Sequence, residues 1–485
     1  MSIDTLLDTV LPVSNRVIYD DSRETSRRLY SSAFYALGRR CSERAGTRQG
    51  LHDRLRSTRQ GETLGQARAR RCYEGVEFLS GENRLYAHRG DFLHQNWNTA
   101  FRTVEETVWL LAWITGNLPA SPSLLEQWLI ALGSRFASVS ESLLKIAAAE
   151  TFPQRAEEAL RAAAAVTVAI RGFESSSGTF PLGTSASSST LDLFLNDPAR
   201  LSRHRRTNVA TEWKGATDLL VSAYRELPQI RSFAVGSSLA TGWADEYSDV
   251  DLFAFCEELP PLDDRRRVLT PLVDPKSERS QSAQMDNFAV RGLSGHIIFV
   301  PLREQKAMLR TEPAALGPDA DKGLLLLRHD LLNCEPVAGD PEVVHELRAM
   351  AVCYPRALQQ QNVTRELSFI EQCEEEMQHA VGAGAPVTFF TTCAFAGISV
   401  AYLLCALNAR HCDDVGLKWG DRILRTVERK PVECAERLEA ISLGLEKRRL
   451  RARLAEFRKL VGELRGLAGS LRLSSANEAA APSLR

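Results

Sequence analysis

Residues 236–242 read GSSLATG and residues 248–252 read SDVDL, and these two stretches predict a strand, a tight turn and a second strand. Gly236 follows an apolar run and lets the backbone turn sharply, because it carries no Cβ. Ser237 and Ser238 then open a short helix, whose free N–H groups suit an anion. The turn is therefore a candidate phosphate-binding element.

The second stretch puts two carboxylates on one predicted strand, which runs over residues 249–255. Side chains alternate across a strand, so Asp249 and Asp251 share one face and lie about 7 Å apart along it. The two groups repel each other unless a cation binds between them, and Mg²⁺ is expected because it prefers oxygen ligands. An Asp-X-Asp pair or a Gly-Ser turn alone is often merely structural, but the combination favours phosphoryl chemistry on a nucleotide.

This combination resembles the signature of the polymerase-β-like nucleotidyltransferase superfamily. Within it, the chain is most similar to the small-molecule and antibiotic nucleotidyltransferases of the aminoglycoside and lincosamide types. The likeness is specific over residues 234–255. It implies transfer of a nucleoside monophosphate, with AMP from ATP as the expected case, from an NTP to a hydroxyl of a small-molecule acceptor, with release of pyrophosphate.

The resemblance also implies roles for individual residues. Asp249 and Asp251 would hold two Mg²⁺ ions, for which Mn²⁺ can substitute, in the arrangement that stabilises both the entering and the leaving oxygen. Gly236, Ser237 and Ser238 would contact the phosphates of the nucleotide.

A weaker likeness extends over residues 207–465. The apolar stretch 402–408 precedes Lys418 and Trp419, which is similar to the helical domain that follows the catalytic core in these enzymes. Lys418 is then a candidate for stabilising charge on the triphosphate, with an ordinary surface lysine as the alternative.

The chain departs from the family pattern at the third carboxylate, which related enzymes usually carry on a later strand. Here that strand is predicted over residues 294–300, where no acid occurs and His296 is the only ionisable side chain. His296 is a candidate general base, or a histidine satisfied within the fold. Asp286, on the preceding predicted strand, is a candidate for the missing acid across a hairpin. Further alternatives are Glu366, the glutamates at 374–376, and a relative that binds nucleotide without turning it over.

The predicted fold class is α+β, with a mixed-sheet nucleotidyltransferase core flanked by an N-terminal all-α domain and a C-terminal helical bundle. The N-terminal segment carries apolar residues at helical spacing, and a Ser- and Gly-rich stretch follows it. The predicted boundaries are an N-terminal helical domain at 1–172, a linker and lead-in at 173–206, the catalytic domain at 207–315, the C-terminal helical domain at 322–472 and a disordered tail at 473–485.

The composition is that of a soluble globular protein, with 44% hydrophobic and 25% charged residues and a formal net charge of −1. Ten cysteines occur without a Cys-X-X-Cys pair, which argues against a zinc site and a disulfide framework. No basic and apolar leader is seen, so the cytoplasm is the expected location. Residues 380–409 carry no charge, but their Thr, Ser, Gly and Pro content favours a buried core helix over a membrane span.

The sequence is compatible with a small-molecule acceptor and with a macromolecular one. Residues 22–72 hold thirteen Arg and four acids, which can bind nucleic-acid phosphates, although exposed helix faces are the favoured interpretation. An acidic pocket for an aminosugar antibiotic would draw on Glu366, Glu371 and Glu374.

The functional hypotheses are a transferase for a small hydroxylated acceptor, a toxin-like transferase for a tRNA end or a protein hydroxyl, and a catalytically silent nucleotide-binding relative. No membrane partner is expected, and the N-terminal domain would shape the acceptor site or form a homodimer interface.

Overall fold

The chain forms two compact units in the computed structural model. The helical unit comprises the described residues within 1–198, 359–410 and 414–485, and the sheet unit comprises those within 199–358 and 411–413. The residues that the structure describes are 76, 82–115, 125–177, 209–242, 244, 248–273, 280–281, 284–291, 293–310, 328–352, 354–411 and 420–480.

Helices and strands are numbered along the chain. The described α-helices are α1 Glu82–Arg89, α2 Phe92–Asn98, α3 Glu106–Thr115, α4 Leu125–Ala131, α5 Ala137–Ala148, α6 Phe152–Ser177, α7 Val209–Tyr224, α8 Ser237–Ala240, α9 Leu262–Leu269, α10 Leu302–Arg310, α11 Pro341–Ala351, α12 Arg356–Ala383, α13 Pro386–Leu407, α14 Gly420–Thr426, α15 Cys434–Ser442 and α16 Leu450–Ala480. A π-helical turn, Thr99–Glu105, joins α2 to α3, and a 3₁₀ turn, Ser134–Phe136, precedes α5. The described strands are β1 Ile230–Val235, β2 Val250–Cys256, β3 Ser280–Gln281, β4 Met285–Val290, β5 Leu293–Pro301 and β6 Glu335–Gly339.

The sheet unit is built on one mixed sheet with the strand order β3-β4-β5-β2-β1-β6. β2 and β5 are parallel, whereas the other neighbours pair antiparallel. The parallel pair needs a long crossover, which contains α9 and the β3–β4 hairpin. The described fold is therefore α+β with a mixed sheet, as the sequence predicts.

Apolar side chains cover both faces of this sheet, as the alternation along β2 requires. Leu252 and Ala254 point to a core that includes Leu220 of α7 and Val268 of α9. Phe253 and Phe255 point to the opposite core, formed with residues of α10 and α11 such as Leu302, Leu309, Val344 and Leu347. Asp251 lies on the same strand between Val250 and Leu252, so it shares its face with the phenylalanines of the second core.

The helical unit is centred on α13, which packs against α2, α4 and α5 from before the sheet segment and against α14, α15 and α16 from after it. Of the helices that the structure describes, α13 is the one long and apolar enough to cross a membrane, and 94% of its most apolar window is buried inside the protein. The predicted core helix is therefore confirmed. The helical segments at the two ends of the chain, which the sequence divides into separate domains, supply neighbours to this one helix.

Two polar interactions join these helices. Arg155 of α6 is fully buried and donates to the Asn96 side chain and to the carbonyl oxygens of Ile146 and Ser442, so it connects four helices. Glu126 of α4 accepts at Oε1 from the N–H groups of Val387 at 2.6 Å and Thr388 at 3.2 Å. These N–H groups begin α13 and have no partner within their own helix, so Glu126 caps α13 from a neighbouring helix.

Candidate metal and nucleotide site

The glycine turn lies directly beside the acidic strand. Gly236 follows β1, and its N–H donates to the carbonyl oxygen of Asp251 on β2 at 2.9 Å. A Cβ at position 236 would lie only 2.0 Å from the ring of Phe253, so only glycine allows the strand to end this close to β2. The turn and the strand that carries the acids are thus hydrogen-bonded neighbours, although they are separate in sequence.

Ser237 and Ser238 begin the short helix α8, as the sequence predicts, and α8 ends at Ala240. The Ser238 carbonyl oxygen closes the turn by accepting from the N–H of Ala244 at 2.9 Å and from Thr241 Oγ1 at 3.2 Å. The Ser238 side chain is only 2% exposed, and its Oγ has no hydrogen-bond partner among the described residues. The side chain of Ser237 lies outside the described part of the structure.

Asp249 precedes β2 and Asp251 is its second residue, so the predicted arrangement of both carboxylates on one face is observed. His296 on β5 pairs directly with Asp251 in the parallel ladder. Its Nε2 lies 3.2 Å from Asp249 Oδ2. One ligand atom from each of Asp249, Asp251 and His296 lies within 4.8 Å of the others, and this is the one such group found among the described residues.

A third strand supports this group. Asn287 on β4 pairs with His296 across the β4–β5 hairpin, and Asn287 Oδ1 lies 2.6 Å from His296 Nδ1. An amide oxygen only accepts hydrogen bonds, so Nδ1 is the protonated nitrogen and Nε2 faces the carboxylates. A row of three side chains, Asp251, His296 and Asn287, therefore crosses β2, β5 and β4 on one face of the sheet.

The donor set fits a divalent cation. Two carboxylates and one imidazole converge, and the side chains of Asp249 and His296 remain 29% and 37% exposed, so solvent and ligands can reach them. Two carboxylates this close repel each other, whereas a divalent ion would attract both. Because carboxylate oxygens suit Mg²⁺ and Mn²⁺ while imidazole suits transition metals, these residues can hold such an ion.

Asp286 is not brought to this group. It pairs with Ile297 rather than His296, so strand alternation directs it to the opposite face of the sheet. There it is fully buried, accepts a 2.8 Å hydrogen bond from the Tyr224 hydroxyl, and lies 3.4 Å from Arg265 Nη2. The hairpin predicted between the two strands exists, but its register presents Asn287, and not Asp286, to His296.

The remaining candidates from the C-terminal segment differ in their surroundings. Lys418 lies outside the described residues, as does Trp419. Glu366 is buried beside Arg365, while Glu371 and Glu374 form ion pairs with Arg465 and Arg458 of α16.

Asn287 is the site residue that sequence reasoning missed. A sequence pattern does indicate this position, because Asn287 neighbours Asp286 on a strand predicted to form a hairpin with the strand of His296. Choosing between the two neighbours required the pairing register, since a shift of one residue exchanges the two faces.

No protein-family model matches this chain, and no curated protein sequence matches it. Among the solved structures that do match is the crystal structure of a nucleotidyltransferase-like protein from Exiguobacterium sibiricum. It is 14% identical to this chain with a TM-score of 0.29, and the comparison covers 54% of this chain and 79% of that chain. A likeness of this size carries no inference for this chain, and the chemistry of the site has to follow from its own residues.

Proposed function

We propose that this protein is a nucleotidyltransferase that moves a nucleoside monophosphate, with AMP from ATP as the expected case, to a hydroxyl of a small-molecule acceptor. The acceptor oxygen forms a bond to the α-phosphorus, and the bond from that phosphorus to the bridging oxygen of the β-phosphate breaks. Pyrophosphate leaves, and the proton of the hydroxyl passes to a base or to water.

The observation that supports this proposal is the contact of the Gly236 N–H with the Asp251 carbonyl oxygen at 2.9 Å. It joins an element suited to phosphate to an element suited to a divalent cation. A metal–triphosphate complex needs both elements within a few ångströms of each other, because its charges are adjacent.

Each residue has a role in this reaction. Asp249 and Asp251 would hold the divalent ions, and Gly236, Ser237 and Ser238 would contact the phosphates. Ser238 adds a buried hydroxyl without a hydrogen-bond partner among the described residues. When bound, the divalent metal supplies positive charge that stabilises the entering and leaving oxygens.

The acceptor class is a small hydroxylated molecule. The ion pairs of Glu371 and Glu374 with arginines neutralise those carboxylates, so they do not favour a polycationic antibiotic over an uncharged acceptor. Support for a nucleic-acid acceptor was limited to residues 22–72, which lie outside the described part of the structure.

The test is to incubate the purified protein with each of four labelled NTPs, Mg²⁺ or Mn²⁺, and a fractionated cell extract. The expected result is pyrophosphate release together with transfer of label to a low-molecular-mass product. An Asp249→Asn/Asp251→Asn double variant is the matched control, because it keeps the shape of the side chains and removes both charges.

Two outcomes contradict the proposal. Label that enters RNA or protein indicates the toxin-like alternative. For an RNA acceptor, its binding to the protein should also weaken strongly with rising salt. Binding of an NTP without pyrophosphate release under any of these conditions indicates a catalytically silent relative.

A further inference from the structure

We propose that His296 is the third protein ligand of the metal ion held by Asp249 and Asp251, and that the site therefore prefers Mn²⁺ or a related transition-metal ion to Mg²⁺. The inference rests on the proposed function for the use of the metal in nucleotide transfer. The ligand set itself follows from the positions of three side chains and of Asn287.

The imidazole ring of His296 lies between Asn287 and Asp249. Nδ1 donates to Asn287 Oδ1 at 2.6 Å, so the lone pair of a neutral ring is on Nε2. Nε2 lies 3.2 Å from Asp249 Oδ2. The ring nitrogen that can bind a metal ion is therefore the one that faces the carboxylates.

Three ligand atoms converge at this position. Asp251 contributes another carboxylate oxygen within 4.8 Å of the same atoms. Two carboxylate oxygens and one imidazole nitrogen at these separations can bind a single divalent cation.

The separation of the ligand atoms suits a single ion. For a metal–ligand distance of about 2.1 Å, adjacent ligand atoms lie about 3.0 Å apart around an octahedral ion and about 3.4 Å apart around a tetrahedral one. The separation of 3.2 Å between Nε2 and Oδ2 falls between these values. The two atoms can thus bind one ion with little movement of either side chain.

The imidazole ligand distinguishes between divalent ions. Mg²⁺ is bound in proteins mainly by oxygen, while imidazole suits ions of the first transition series. One nitrogen ligand among two carboxylates therefore favours an ion such as Mn²⁺ over Mg²⁺.

Asn287 is a positioning residue in this arrangement, because it fixes the tautomer and orientation of His296 without touching the ion. Hydrogen-bond acceptors behind a ligating histidine commonly contribute about 10- to 100-fold in metal affinity. The ligand role also excludes the predicted base role, since both need the same Nε2 lone pair.

The test measures Mn²⁺ binding to the full-length protein by electron paramagnetic resonance, with pulsed detection of nitrogen coupled to the bound ion. The wild type is expected to show directly coordinated ¹⁴N and at least about tenfold tighter binding of Mn²⁺ than of Mg²⁺ in competition. His296→Asp should abolish the nitrogen signal, retain Mn²⁺ binding and improve the affinity for Mg²⁺. Asn287→Ala should weaken Mn²⁺ binding about 10- to 100-fold.

His345→Asp is the matched control, because His345 is an exposed histidine on α11 of the same unit and its loss should leave the nitrogen signal unchanged. Circular dichroism checks that each variant is folded. Absence of Mn²⁺ binding, bound Mn²⁺ without a nitrogen signal, or a signal that survives His296→Asp overturns the ligand assignment.

The pyrophosphate assay separates this inference from the proposed function. A nitrogen signal in a protein that turns over no NTP would leave the ligand assignment standing and remove the transferase activity. Turnover with bound Mn²⁺ that shows no nitrogen coupling would leave the transferase activity standing and remove the ligand assignment.

Discussion

The N–H of Gly236 donates to the carbonyl oxygen of Asp251 at 2.9 Å, so the turn after β1 and the acid on β2 are attached to each other through the backbone. Phe253, the next residue of β2 on the same face, packs its ring against the α-carbon of Gly236. A displacement of the turn is therefore transmitted to the strand that carries the acids. Substitutions at the turn should affect stability and the site together.

Gly236→Ala is expected to destabilise the sheet unit by about 1–3 kcal/mol, because the new Cβ would overlap the ring of Phe253 and the core must shift. Urea denaturation measures the change in the free energy of unfolding. Gly215→Ala in α7 is the control, since its Cβ would meet nothing closer than 3.6 Å and alanine favours the helix. Equal effects of the two substitutions would contradict the close contact at Gly236.

Asp251→Asn is expected to lower pyrophosphate release at least about 100-fold, because an amide binds a divalent cation far less well than a carboxylate does. The side chain is partly exposed, so the free energy of unfolding without metal should change little. Thermal unfolding with and without Mn²⁺ supplies a second measurement, and the stabilisation by Mn²⁺ should disappear in the variant. Near-normal turnover by this variant would remove Asp251 from the site.

Asp286→Asn tests whether the buried acid is structural. Removing its charge takes away the carboxylate that faces the buried guanidinium of Arg265, which costs about 3–5 kcal/mol. Tyr224→Phe is the milder variant and should cost about 1–3 kcal/mol through loss of one hydrogen bond to a carboxylate. For both variants we expect a lower melting temperature but an unchanged rate per folded molecule, measured well below that temperature. A large fall in the rate of folded Tyr224→Phe would instead link Asp286 to catalysis.

Glu126 should make the stability of the helical unit depend on pH. Burial raises the pKa of its carboxyl above the ordinary value of 4.5, although the N–H groups of Thr388 and Val387 oppose this effect. Because the pKa is higher in the folded state, the stabilisation is complete below the unfolded pKa and is lost as the pH rises through the folded pKa.

Glu126→Gln removes this dependence, since the amide oxygen still accepts from both N–H groups and does not ionise. The difference in the free energy of unfolding between wild type and Glu126→Gln should therefore shift against the wild type as the pH rises from about 4 to about 8. Glu126→Ala should cost about 0.5–2 kcal/mol by loss of the cap. A difference in the free energy of unfolding that stays constant over this pH range would contradict the raised pKa.

Local elements of the sheet unit could be predicted from sequence. The apolar alternation predicts β2 to within one residue at each end, the glycine turn marks the end of β1 and the start of α8, and the i, i+2 spacing puts Asp249 and Asp251 on one face. These features depend on neighbours in the chain. Strand alternation alone is sufficient to derive them.

The third side chain of the site could not be assigned in this way. Placing His296 beside Asp251 requires the parallel pairing of β5 with β2, and choosing Asn287 over Asp286 requires the register of the hairpin. Both are long-range properties that single-strand patterns do not contain. Similarly, the apolar face of α13 indicates that the helix is buried, but not that helices from both ends of the chain bury it.

The buried Arg155 has a consequence for how the protein is made. It donates to Ser442, so the helical unit is complete only when residues from both ends of the chain have been synthesised. The sheet unit, by contrast, comes almost entirely from one continuous stretch. At ordinary translation rates we expect the first helices to wait on the order of tens of seconds for their partners, while the intervening sheet can already fold. In that interval the emerging chain presents apolar helix faces, and it should depend on chaperones more than a protein of this size with contiguous domains.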